Sequence, residues 1–122
     1  MKRLLTALFV LFPGLAFAQV ADVVGVRDNF IVAGLAAQKC NMTDRDRQEV
    51  HDRNFTIVSR RAMEAIMARS SGVDPEEARQ RDLKHIEQLQ DATFNLLRAE
   101  GCKSDKVKAL LRMHRMHETI RF

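Results

Sequence analysis

Apolar residues recur at helical spacing in four stretches of the chain, and no stretch alternates with the period of two that is typical of a β-strand. The clearest stretch spans residues 74–102. Asp74 can cap its N-terminus, Pro75 suits the first helical position, and Gly101 suits a left-handed C-terminal cap. At about 100° per residue, one face of this helix carries Leu83, Ile86, Leu89, Thr93, Leu96 and Leu97. The pattern predicts one long helix with a single apolar face.

Two helices are predicted before it. The first covers about 20–39, and its inward face is predicted to contain Val23, Val26, Phe30, Ala33, Ala37 and Cys40. The second runs from residue 44 to about 69, with Thr43 as its cap. Its apolar face is weaker and includes His51 and Asn54 beside Phe55, Val58, Ala62, Ala65 and Ile66. Such a face fits either a tight contact with a neighbouring helix or a partly open groove.

A fourth helix is predicted from residue 105 to about 120, with Ser104 as its cap. Its inner face is predicted to hold Val107, Leu110, Met113, His114 and His117. Four helices joined by short turns predict an all-α protein with an up-down-up-down four-helix bundle. In that order Cys40 and Cys102 lie at the same end of the bundle, so a disulfide between them is geometrically possible.

The first 18 residues have the features of a cleaved signal peptide. Lys2 and Arg3 form a positive start, residues 4–12 are apolar, and 16–18 match the small-residue cleavage pattern. The apolar run is too short to span a bilayer, so no stable membrane insertion is expected after cleavage. We therefore predict a signal peptide at 1–18, a single helical domain at 19–122, and a periplasmic or secreted location.

Export changes how the cysteines and the charge are interpreted. An oxidising compartment favours one structural disulfide between Cys40 and Cys102, which pins the bundle. Removal of Lys2 and Arg3 lowers the formal net charge from +4 to +2, so part of the basicity belongs to the targeting signal. No basic stripe with interleaved aromatic residues argues for nucleic acid as a partner.

One short segment carries residues suited to metal chemistry. Met113, His114, Met116 and His117 occur at three-residue spacing on the last helix, and thioether and imidazole groups are suitable ligands for copper. Methionines and histidines at this spacing are also common as core and edge residues. Copper binding by these four residues is therefore an alternative, and no other cofactor is predicted.

No catalytic residues are predicted. The chain has no nucleophile-elbow motif and no Gly-rich phosphate loop. His51 and Asp52 are adjacent on a helix, so their side chains should diverge and not form a working pair. We therefore expect a protein that is not an enzyme.

The leading interpretation is a small exported helical protein that acts by binding, with another envelope protein as its partner. Its general plan, a small exported helical domain with one disulfide, is similar to that of acid-stress chaperones of the periplasm. The resemblance is one of class and transfers no residue roles. It adds a further alternative, an acid-stress chaperone that exposes apolar helix faces on acidification. Histidines can sense pH between about 5 and 7, but four histidines in such a chain do not predict a switch. The oligomeric state is not predicted.

Overall fold

The computed structural model describes residues 22–121, and within that range the chain forms four α-helices and no strand. The helices are α1 (Val23–Lys39), α2 (Arg45–Arg69), α3 (Pro75–Glu100) and α4 (Asp105–His117). The predicted all-α class with four helices is confirmed. The predicted signal peptide at 1–18 lies outside the described residues. None of the helices in the described range is long and apolar enough to cross a membrane.

Each helix begins at a side chain that accepts a hydrogen bond from a backbone N–H of the first turn. The caps are Asp22, Asp44, Asp74 and Ser104. The predictions for Asp74 and Ser104 are confirmed, whereas the prediction of Thr43 was wrong by one residue. A carboxylate accepts the same hydrogen bond as a hydroxyl and also interacts favourably with the positive end of the helix dipole. Asp44 therefore takes the capping position, and α2 begins one residue later than expected.

The C-terminal ends of α3 and α4 differ slightly from their predictions. α3 ends at Glu100, and Gly101 is its C-cap. The φ of Gly101, 73°, is accessible mainly to glycine, although its ψ of 177° is extended instead of left-handed helical. α4 ends at His117, before the expected end at residue 120, and the chain continues from Glu118 in a hydrogen-bonded turn. Helix ends fray, so differences of this size are common.

α1 is the central helix, and the three other helices pack against it more extensively than against one another. Its C-terminal end is joined to the end of α3 by the disulfide between Cys40 and Cys102, whose Cα atoms are 5.8 Å apart. Near the opposite end, Arg27 of α1 is paired with Asp82 of α3. α1 and α3 therefore run in the same direction, which the predicted up-down-up-down order requires. The predicted disulfide is confirmed.

The core is small and contains as many polar residues as apolar ones. The buried apolar residues are Phe30, Ala33, Ala36, Ala37, Val58, Ala62, Ala78 and Val107. The buried polar residues are Arg27, His51, Asn54, Asp82, Thr93, His114, His117 and Glu118. Because alanines dominate the apolar set, the helices approach α1 closely, and polar side chains occupy much of the remaining interior.

The inner face of α3 differs from its prediction near the start of the helix. Leu83 was expected to face the core, but it is 48% exposed, whereas Asp82 is only 7% exposed. Neighbouring positions on a helix point about 100° apart, so only one of the two can face α1 directly. The charge of Arg27 on α1 decides the choice, because a buried guanidinium needs a carboxylate partner.

Candidate functional site

Three of the four histidines form a buried cluster between α1, α2 and α4. This histidine cluster consists of His51 from α2 with His114 and His117 from α4. The ring centroids of His51 and His114 are 4.8 Å apart. The His117 ring stacks on Phe30 of α1, with centroids 3.7 Å apart and an interplanar angle of 7°. Imidazoles from two different helices, His51 and His117, are therefore packed against the ring of Phe30.

The ring nitrogens of this cluster are mostly without hydrogen-bond partners among residues 22–121. The unpartnered atoms are His51 Nε2, both ring nitrogens of His114, and His117 Nδ1. The nearest charged group to His114 is Glu118, whose Oε1 lies 3.5 Å from His114 Nε2. Buried polar groups are normally paired, so several unpaired nitrogens in one place are an unusual feature that calls for a physical explanation.

Burial and nearby imidazoles disfavour the charged forms of the two α4 histidines, His114 and His117. Burial is the main cause that lowers the pKa of His117 to about 4, and the charged forms of His51 and His114 contribute further. The pKa of His114 is also lowered, first by burial and then by His51. A second proton in such a site would be desolvated and close to another positive charge. Protonation of His114 or His117 is therefore less favourable in the folded chain than in water.

Asn54 attaches the end of α4 to α2 beside the cluster. Its side-chain Nδ2 donates to the backbone oxygens of His117, at 3.0 Å, and of Ile120, at 2.6 Å. The carbonyl of His117 lies in the last turn of α4, where backbone oxygens lack helical partners, and that of Ile120 lies in the turn that follows. This pair of hydrogen bonds fixes His117 against α1 and α2.

A groove of about 900 Å³ opens beside the cluster, between α1 and the first half of α2. His51 and His114 form part of its wall. Its apolar surface comes mainly from α1 and α2, through Phe30, Ile31, Leu35 and Phe55. Its volume is in the range typical of small-molecule sites, about 300–1,000 Å³. The weak apolar face of α2 thus corresponds, in its first half, to a partly open surface.

The four residues predicted as copper ligands do not all lie together. His114 and His117 are buried, Met113 is half-buried, and Met116 is 59% exposed. The side chain that the structure brings next to His114 is His51 of α2, which was not among the predicted copper ligands. Within residues 22–121 no group of three or more His, Cys, Asp or Glu side chains is arranged to hold a metal ion. Copper binding stays a prediction.

A second buried polar group, the ion-pair cluster, joins α1 to α3. Arg27 donates from Nη1 and Nη2 to the two carboxylate oxygens of Asp82, at 2.7 and 2.8 Å. It also donates to Asp28, which in turn contacts Nε2 of His85 at 2.7 Å. Burial alone would lower the pKa of Arg27, but the hydrogen bonds and charges of Asp82 and Asp28 outweigh it and raise that pKa.

Sequence reasoning missed two features of these clusters. The Arg27 to Asp82 pair was not predicted, although a charged residue between apolar positions on each of two helices could have indicated it. The expectation that His51 and Asp52 diverge was wrong, because His51 Nδ1 lies 3.4 Å from Asp52 Oδ1. Side chains of neighbouring residues can bend toward each other even though their Cα–Cβ bonds point apart.

No known protein family matches the chain, and no curated protein or solved structure is similar to it. The fold and the site define a class only: a small, disulfide-linked, all-helical domain with a partly polar core and a groove lined by histidines. What this protein does is therefore inferred from its own side chains.

Proposed function

We propose that this is a small exported protein, without catalytic activity, that binds a partner at the groove and responds to acid through the histidine cluster. The observation that carries the proposal is the burial of three imidazoles, two of them in the groove wall, with unpartnered ring nitrogens. The disulfide and the predicted signal peptide at 1–18 support export to the periplasm or beyond. A second envelope protein is the partner that such a location favours.

The acid response follows from the direction of the pKa shifts. Above pH about 6.5, the ordinary histidine pKa, the rings of His114 and His117 are mostly neutral in both the folded and the unfolded chain. As the pH falls from there toward 4, the unfolded chain takes up a proton that folded His117 does not. The unfolded state is then favoured, so acid weakens the fold progressively over this window. His114 acts in the same direction.

The groups that surround the cluster decide whether protonation can be accommodated. α2 contributes His51 and Asp52, and the α4 segment contributes Glu118 beside His114. Phe30 of α1 contacts His117 and carries no charge. Asp52 is exposed and lies beside Nδ1 of His51. Its negative charge therefore does little to stabilise a proton on the buried rings of α4. Protonation is therefore expected to open the contact between α4 and the other helices.

Dye binding and circular dichroism as functions of pH test this proposal. We expect an apolar dye to bind the oxidised protein more strongly between pH 6.5 and 4, while much of the helical signal is retained. His117→Phe keeps an aromatic ring on Phe30 but removes the titrating group, so this change should become smaller. His85→Phe is the matched control, because His85 lies outside the cluster and is partly exposed. Equal pH profiles for wild type and His117→Phe would contradict the proposal.

Copper binding is a second candidate, and it is favoured by the short distance between the rings of His51 and His114, both with unpartnered nitrogens. Neutral imidazole is the form that binds metals. A titration with Cu(I) and Cu(II) tests this candidate in the wild type and in the His114→Ala, His117→Ala double variant. Tight stoichiometric binding that is lost in the double variant would support copper handling. Equal binding by both proteins would exclude this segment as the site.

A further inference from the structure

We propose that the groove between α1 and α2 binds a small organic molecule that carries a protonated amine on an apolar body. The inference rests on the proposed function because it concerns the same groove, and it assigns a small ligand to that groove in addition to the envelope-protein partner. It follows from three features of the groove: two buried hydrogen-bond acceptors that lack donors, an excess of negative charge on the lining, and an apolar floor without a side chain at Gly34.

The first acceptor is Nε2 of His51. The other ring nitrogen, Nδ1, lies 3.4 Å from a carboxylate oxygen of Asp52. A carboxylate can only accept, so in the neutral ring Nδ1 carries the hydrogen and Nε2 carries the lone pair. His51 is 8% exposed, and Nε2 has no partner within residues 22–121. A ligand that donates a hydrogen bond would satisfy it.

The second acceptor is Oε1 of Gln48, one helical turn before His51 and therefore on the same face of α2. Its amide nitrogen already donates to Asp52 at 2.8 Å. That hydrogen bond fixes the orientation of the amide, because a carboxylate would repel the oxygen. Oε1 is left buried and without a donor among the described residues. Two acceptors on one face favour a ligand group with several N–H donors, such as a primary ammonium.

The charges on the lining favour the same group. Asp44, Glu49 and Asp52 supply three carboxylates, against one guanidinium from Arg45. The lining is therefore negative overall while the histidines are neutral, and it attracts a cation. An anionic ligand would have to approach carboxylates and unpaired acceptors together, which costs free energy.

The floor of the groove suits an apolar body. Ile31, Leu35 and Phe55 line it, and Gly34 places no side chain over the His51 ring. A Cβ atom at Gly34 would lie 3.9 Å from Nε2 of His51, in ordinary van der Waals contact. Alanine therefore fits at this position without strain, yet its methyl group would cover the acceptor. Gly34→Ala is a variant that alters the groove without threatening the fold.

The experiment is a titration of the oxidised protein with three phenyl compounds of similar size, followed by the ring C–H signals of the four histidines in proton NMR. The compounds are 2-phenylethylamine, 2-phenylethanol and 3-phenylpropionate. At pH 7.5 we expect the amine to shift the His51 signal saturably and to bind at least tenfold more tightly than the alcohol. The carboxylate should not bind.

Variants locate the binding. Gly34→Ala should weaken amine binding at least tenfold while its melting temperature stays equal or rises, and Glu49→Gln should weaken it several-fold. Asp91→Asn is the matched control, because Asp91 is an exposed acid of α3 that lines a different groove, near Cys102. Its binding should be unchanged. The proposal is overturned if the carboxylate binds as tightly as the amine, if no compound binds, or if Gly34→Ala binds normally.

This test and that of the acid response can fail separately. The acid response is measured without ligand and depends on His117, whereas the amine titration at pH 7.5 depends on Gln48, His51 and Gly34. Normal acid opening without amine binding would reject the ligand class and keep the acid-responsive protein. Amine binding without acid opening would keep the ligand class and reject the acid response.

Discussion

The two buried polar clusters of this protein both pack on α1, yet they satisfy their polar atoms differently. In the ion-pair cluster, Arg27 makes charge-assisted hydrogen bonds to both oxygens of Asp82 and to Asp28. In the histidine cluster, rings from α2 and α4 contact one another while most of their nitrogens lack partners in the described part of the chain. One cluster holds paired charges in the interior, and the other contains His114 and His117, whose pKa values are lowered by burial.

The difference indicates separate roles. A bidentate pair of fixed charges joins α1 to α3 at all pH values at which both groups are ionised, and it is sensitive mainly to loss of a partner. Neutral imidazoles contribute packing, but they become unfavourable when they acquire protons. The α1 to α3 contact, which also carries the disulfide, is therefore expected to be the stable half of the bundle. The contacts of α4 with α1 and α2 are the half that acid can open.

The largest expected effect is the loss of a charge in the ion-pair cluster. Asp82→Ala leaves the guanidinium of Arg27 buried with only Asp28, which should cost about 3–5 kcal/mol of unfolding free energy. The measurement is urea unfolding at pH 7.5, followed by circular dichroism. Leu83→Ala is the matched control on the next, exposed position, and its cost should be below about 1 kcal/mol. Similar costs for the two variants would mean that the pair contributes little.

The second-largest expected effect is a pH dependence of the unfolding free energy that comes from the histidine cluster and not from the ion-pair cluster. Between pH 6.5 and 4, the shift of the His117 pKa to about 4 should lower the unfolding free energy by about 3 kcal/mol. His117→Phe should lose this part of the pH dependence, because phenylalanine does not titrate. Asp28→Asn, a change in the other cluster, should keep the wild-type contribution from His117. A His117→Phe curve parallel to that of the wild type would contradict the assignment.

A smaller effect tests how α4 is held. Asn54→Ala removes the donor to the backbone oxygens of His117 and Ile120, and leaves a buried carbonyl unsatisfied. We expect a cost of about 2 kcal/mol, together with faster hydrogen exchange in the last turn of α4. Thr56→Ala on the exposed face of α2 serves as the control. Unchanged exchange in α4 would show that this attachment is not needed.

The smallest effect concerns the exposed edge of the ion-pair cluster. His85 contacts Asp28 at 2.7 Å but is 46% exposed, so its contact is screened by water. His85→Ala should change stability by less than about 1 kcal/mol. Raising the salt concentration to about 0.5 M should reduce the difference further, because salt screens interactions between exposed charges. Thermal unfolding at both salt concentrations measures it. If His85→Ala lowered the stability as much as Asp82→Ala does, His85 would be an essential part of the ion-pair cluster and the prediction would be wrong.

The sequence predicted the four helices, most of their ends and the disulfide. Those signals are local: Asp74, Ser104 and Gly101 act within one turn of their own helix. The inner faces were harder to predict. The predicted faces included His51 and Asn54 on α2 and His114 and His117 on α4, and all four are buried. The sequence predicted the groove only as one of two alternatives for the α2 face, since its depth depends on how α2 packs against α1.

The sequence by itself therefore determined the helices and the end of the bundle at which Cys40 and Cys102 meet. Only the tertiary structure decided that Asp82 faces the core instead of Leu83. It also decided that His51 of α2 lies beside His114, whereas Met116 is exposed. The reason is physical. A cap needs a partner a few residues away, whereas a buried charge or imidazole acquires its environment from helices that are distant in sequence, and only their packing brings those together.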